Sequence, residues 1–99
     1  MKLVYTEPAI ESLQACLDFF PPDVPSQKVN QTRDRILAKA ERLISHPFLG
    51  QIEEYLQHLG LSHRRLISVH YKIIYRIQGD IIFVTDIFDS RQDPDKMKG

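Results

Sequence analysis

The sequence predicts an α+β domain of two layers, in which an N-terminal strand and an αα-hairpin pack on an antiparallel β-sheet. Three observations predict it. Apolar residues recur at helical spacing through residues 7–20 and 26–44. After His63 the apolar period changes to two. Two strongly apolar runs, "HYKIIYRI" and "IIFVTDIF", are then separated by little more than Gly79-Asp80, a hairpin turn signal. A helical hairpin with one apolar face buries it on one side of a sheet, and that gives two layers around one core.

The elements follow in order. "KLVY" is a short β-prone start. Thr6, Glu7 and Pro8 then signal a helix, through a capping hydroxyl, an acid near the positive end of the helix dipole and a proline in the first turn. Ile10, Leu13, Leu17 and Phe20 form its apolar stripe, with Cys16 beside it, and "FFPPDVP" stops it because prolines cannot continue a helix. A second helix starts near Ser26. Val29, Ile36, Leu37, Ala40, Leu43 and Ile44 line one face, while Gln27, Lys28, Arg35, Lys39 and Arg42 lie mostly off it. Pro47 and Gly50 end it. "QIEEYLQHLGLS" has helical spacing at Ile52, Tyr55, Leu56 and Leu59 but is short, and reads as a brief helix or an ordered loop.

"RRLISV" is strand-like. In "YKIIYRI", Tyr71, Ile73, Tyr75 and Ile77 share one face, and Lys72, Ile74 and Arg76, with Gln78 after them, share the other. "IIFVTDIF" is apolar on both faces, as a central strand is. Short links make these three strands an antiparallel meander.

Composition narrows the function classes. Ninety-nine residues form one domain, spanning 1–99, large enough to bury roughly two-thirds of its unfolded surface in a single core. The lone Cys16 cannot form an internal disulfide, which fits a reducing cytoplasm. No apolar run approaches the ~20 residues of a membrane span, and "MKLVYTEPAIE" has no signal-peptide apolar region, so a soluble cytoplasmic protein with no membrane partner is expected. The histidines have no metal-ligand spacing, so neither metal nor cofactor is expected. Formal net charge is zero, −2 over residues 1–62 and +2 over 63–99. A pI near 6.9 lies well below the ~9 typical of dedicated nucleic-acid binders.

The C-terminal half, "RRLISV", "YKIIYRI", "GD" and "IIFVTDIFDSRQDP", resembles the RelE/ParE toxins of bacterial type II toxin–antitoxin pairs. In that family a strand bearing an arginine precedes a "YR-apolar-apolar-Y" strand, and the last strand ends in an "apolar-D-x-R" corner. The resemblance implies a compact toxin neutralised by an antitoxin from the adjacent gene. One branch, RelE-like, cuts messenger RNA on the ribosome; the other, ParE-like, poisons DNA gyrase. A metal-free RNA-cutting site needs a base for the 2′-hydroxyl, cations for the phosphorane and an acid for the leaving oxygen. Arg65 and Lys72 fall where the RelE-like branch keeps basic residues, Arg91 where it keeps a C-terminal arginine, and His63 where some members carry a further basic residue.

The departures point the other way. No tyrosine or histidine follows Arg91, and Asp89, Asp93 and Asp95 flank it and would repel an RNA backbone. The "DSRQDP" ending is closer to the ParE-like branch, which implies a non-enzymatic gyrase binder using Arg65, Lys72 and Arg91 for target contact. The alternative is a ribosome-dependent mRNA endoribonuclease with the same three residues as its site; a decayed toxin that only binds its antitoxin is a third reading. Plainer roles stand beside these. Arg91 can pair with Asp89 or Asp93. Lys72 and Arg76 can be solvated, or, with Ile74, part of a half-apolar protein-binding face. Tyr71 and Tyr75 suit the core, and Cys16 suits an inert buried thiol.

Overall fold

The computed structural model describes residues 1–99. Its elements are β1 (Lys2–Tyr5), α1 (Glu7–Asp18), α2 (Ser26–Glu41), β2 (Gln51–Ile52), β3 (Arg64–Ser68), β4 (Tyr71–Gln78) and β5 (Ile81–Asp89), with 3₁₀ turns at Arg42–Ile44, Glu54–Leu59 and Pro94–Lys96. The sheet order is β1-β5-β4-β3-β2. The meander β3-β4-β5 is antiparallel as expected, while β1 pairs parallel to β5, with Lys2 opposite Ile81 and Tyr5 opposite Val84. The sheet is therefore mixed, with its one parallel pair at the N-terminal edge.

Thr6 caps α1, its Oγ1 accepting from the Ala9 amide at 3.3 Å. The apolar stripe is rotated from the expected one. Ile10 is 57% exposed, and Ala9, Leu13 and Cys16 face the core instead. Spacings of four and three fit this stripe equally well, and Ala9 offers little apolar area but lets the helix approach the sheet closely. The second helix ends at Glu41 and tightens into a 3₁₀ turn, which keeps Leu43 fully buried but turns Ile44 outward.

The ambiguous segment at 51–62 is neither one helix nor a loop. Gln51 and Ile52 pair with Arg65 and Arg64 as a fifth strand, and a 3₁₀ turn follows, closed by Gly60 at φ +70°. A two-residue strand is too short to show alternation. Gly50 admits no side chain: a Cβ there would lie 2.6 Å from the Arg65 carbonyl oxygen and 2.7 Å from Tyr75 Oη. That hydroxyl accepts from the Gly50 amide at 2.9 Å and donates to the Pro47 carbonyl at 2.8 Å.

The two sheet faces are both covered. On the helix side Ile36, Ala40, Leu43, Ile73, Tyr75, Ile82, Val84 and Ile87 form the main core. On the far side Ile74 and Phe88 are buried under Leu56 and Met97. The face of Lys72 and Ile74 is thus no open half-apolar surface, because the 3₁₀ turn at 54–59 and the C-terminal segment close it. Both coverings are short non-repeating segments with no period to read. The pairing of β4 and β5 slips between Ile74/Asp86 and Tyr75/Val84, leaving Thr85 as a bulge. Lys98 ties down there, its amide donating to Asp86 Oδ2 at 3.0 Å and its carbonyl accepting from Thr85 Oγ1 at 3.3 Å. No helix is long and apolar enough to cross a membrane.

Candidate functional site

The register of β3 and β4 sets Arg65 opposite Ile74 and Ile67 opposite Lys72, so both cations rise from the far face two residues apart. They meet on Glu53, the residue after β2. Glu53 Oε1 lies 2.8 Å from Lys72 Nζ, and Oε2 lies 3.4 Å from Arg65 Nη1. Arg65 also donates to the Ile52 carbonyl and, at 3.2 Å, to Gln51 Oε1. The Lys72 ammonium sits 5.6 Å from the centre of the Tyr55 ring. The Glu53 side chain is only 2% exposed, against 23% for Arg65 and 18% for Lys72. A buried carboxylate is tolerable only with such partners.

Arg91 lies elsewhere, at the helix-side corner where β5 ends. Its Nε and Nη2 donate to the two oxygens of Asp89 at 2.9 and 2.7 Å, and its amide donates to Oδ1 at 3.0 Å. This fork holds the Asp89 carboxyl below its usual range, with burial opposing it. Asp89 therefore fixes Arg91, as one expected pairing had it, while Asp93 instead caps its own 3₁₀ turn through the Asp95 amide. His70 completes the corner. Its Nε2 stands 3.9 Å from Asp89 Oδ2, and its carbonyl accepts from the Ser90 amide and hydroxyl at 2.9 and 2.6 Å. A cavity of about 320 Å³ opens here between Phe19, Phe20, His70, Tyr71 and Arg91.

The remaining candidates are structural. Cys16 is half-buried and its thiol contacts the Ile87 carbonyl at 3.7 Å. Burial, with the charges of Asp89 and Asp86, pushes its pKa up to about 11, so it is an unreactive thiol. His63 is fully buried with neither ring nitrogen hydrogen-bonded, so it cannot reach a ribose hydroxyl. Nowhere do three or more His, Cys, Asp or Glu side chains gather as metal ligands would.

Comparison with known proteins assigns this architecture. The family described as "ParE toxin of type II toxin-antitoxin system, parDE" matches residues 3–94. The chain belongs to the ParE toxin family. Among solved structures, one similar to the ParE-family chain comes from the "Chromosomal ParDE TA system from P. aeruginosa", at 20% identity and a TM-score of 0.73 over 88% of this chain and 92% of that one. That likeness shows the shared fold. No curated protein matches the sequence.

Of the residues expected to act together in this ParE-family chain, Arg65 and Lys72 do converge, but on an internal carboxylate. Arg91 belongs to a separate corner. Sequence reasoning missed Glu53, which lies in the segment whose structure was ambiguous, and His70, whose role depends on the hairpin turn that carries it back to Asp89.

Proposed function

We propose that this ParE-family toxin acts as a single cytoplasmic domain over residues 1–99 that inhibits DNA gyrase and is neutralised by a cognate antitoxin from the adjacent gene. One observation carries the reading: all three candidate cations are already paired. Arg65 and Lys72 are tied to the buried Glu53, and Arg91 is forked onto Asp89. Stabilising a phosphorane needs uncommitted positive charge beside a proton acceptor. Protein recognition needs neither, and an arginine held by a carboxylate can still present its outer N–H groups to a partner.

The test pairs a supercoiling assay on purified gyrase with primer extension on reporter messages. The parent chain is expected to block supercoiling and leave messages intact. Arg91→Ala is expected to weaken inhibition by about tenfold, the loss of one well-placed polar contact, with antitoxin binding retained. Codon-phased message cuts without any effect on gyrase would defeat the proposal. The RelE-like alternative draws on one feature, the placement of His70 beside Arg91, which sets a potential base next to a cation. Under that alternative, His70→Ala abolishes the cuts.

A further inference from the structure

The two helices of the hairpin carry opposite charge. α1 holds Glu7, Glu11 and Asp18 and no basic residue, a net of −3. α2, counted through Arg42, holds Lys28, Arg33, Arg35, Lys39 and Arg42 against Asp34 and Glu41, a net of +3. A chain of zero net charge thus has a strongly polarised helical layer. Within α2 the cations are ordered. Lys28, Arg35, Lys39 and Arg42 recur at spacings of seven, four and three, which sets them on one flank of the helix. The flank runs for about 21 Å. Arg42 keeps helical dihedrals and so stays in phase. Lys28, Arg35 and Arg42 are exposed, and Lys39 is half-buried. Gln31 and Thr32 lie between them. Asp34 and Glu41 sit about a third of a turn round the helix from the centre of the flank. Arg33 is also off it, and pairs with Asp34 at 3.1 Å.

The ion pairs of the molecule engage Arg33, Arg65, His70, Lys72 and Arg91, and none of these four side chains. Arg35 and Lys39, four apart, repel each other, as do Lys39 and Arg42, three apart, and no carboxylate relieves them. The positive charge that the fold leaves uncommitted is therefore gathered on this flank. We propose that the flank from Lys28 to Arg42 binds the phosphate backbone of duplex DNA without reading its sequence. A duplex carries one charge per ~1.7 Å of its axis, so unevenly spaced cations meet phosphates in any register. Arginine, lysine, glutamine and threonine are side chains that make such contacts. An acidic protein segment would have to match the spacing, and protein interfaces centre on large apolar or aromatic anchors, of which this flank has none. A pI of 6.9 excludes a dedicated nucleic-acid binder. The contact is an auxiliary one, weak and salt-sensitive, added to the protein contact at Arg91. The choice of DNA over RNA rests on the gyrase reading, because that target works on a DNA duplex.

Binding of a fluorescent DNA duplex of mixed sequence is followed by anisotropy at rising salt, with gyrase supercoiling measured beside it. For the parent, the logarithm of the association constant is expected to fall against that of salt with a slope of about −3 to −4. Arg35→Gln and Arg42→Gln should each reduce the slope by about 0.9 while melting with the parent, because both side chains are exposed. Arg33→Gln removes the same charge away from the flank and should leave the slope unchanged. No binding at low salt with protein at about 10⁻⁴ M overturns the proposal. Slopes in Arg35→Gln and Arg42→Gln equal to the parent's overturn it too. Tighter binding of an RNA duplex assigns the flank to RNA, and tighter binding of polyglutamate assigns it to an acidic protein; either result overturns the DNA occupant. A parent that binds DNA through the flank yet leaves gyrase untouched refutes the gyrase reading alone. A parent that inhibits gyrase but binds no DNA keeps that reading and overturns this one.

Discussion

His63 is the residue whose chemistry most clearly exceeds its surroundings. The residue is 1% exposed, its ring lies against Gly99, and neither ring nitrogen has a hydrogen-bond partner. Burial lowers its pKa below the ordinary 6.5, the nearby Arg76 charge lowers it further, and the Gly99 backbone opposes this slightly. The fold therefore prefers neutral His63, while the unfolded chain takes up a proton at its ordinary pKa. The stability this contributes is fully present above pH 6.5 and is lost as pH falls through 6.5 towards the depressed folded value. Melting temperature should fall between pH 7.5 and 5.5, and His63→Leu should flatten that fall. Asp89 has the same sign in a separate window, since its lowered carboxyl pKa withdraws stability only as pH drops below its ordinary 3.8. A His63→Leu profile as steep as the parent's between pH 7.5 and 5.5 would show that another group titrates.

At the scale of elements, β2 is laddered to β3, and the segment after it is pinned by the Glu53 amide donating to the His63 carbonyl, by the Glu53 ion pairs and by buried Leu56. Glu53→Ala leaves Arg65 and Lys72 facing each other without a counter-ion. The expected cost is about 2–3 kcal/mol, below the usual figure for a broken buried pair because both cations still reach water. A urea midpoint equal to the parent's would mean that Glu53 does not hold this segment, and a double-mutant cycle with Lys72→Ala should show coupling between the two. How legible an element was depended on its length. Residues of α2 and β4 announced their faces because Ile36, Ala40 and Leu43, or Tyr71, Ile73 and Tyr75, repeat with a period. In α1 two registers fitted the same spacing, and the small Ala9 decided between them in favour of the stripe that exposes Ile10. The two-residue β2, the turn carrying Leu56 and the segment carrying Met97 have no period at all, and these cover the far face. Arg65, Lys72 and Arg91 were legible as cations. That Glu53 and Asp89 would take them was legible only for Asp89, two residues from its partner, because Glu53 reaches Lys72 across nineteen positions of chain.

For the molecule as a whole, β4 and β5 carry both cores back to back, Ile73 and Ile87 on one side, Ile74 and Phe88 on the other. Neither core can melt without disturbing the strands of the other, so unfolding should be one cooperative transition. Leu43→Ala, at a fully buried site under α2, should lower that transition by about 2–5 kcal/mol through lost burial and a cavity. Divergence between aromatic fluorescence and helical circular dichroism would reveal two separable units instead. The edge pairing of β1 has a further implication for synthesis. The amides of Lys2 and Thr6 donate to the carbonyls of Asp80 and Val84, so the first strand made can bond only to the last. A nascent chain emerging from its ribosome carries β1 and both helices with no partner strand beside β1, and the sheet closes only after residue 84 has cleared the exit tunnel. Until β5 is free to pair, β1 has no partner strand and the sheet is open, an interval in which a partner already present can meet the chain.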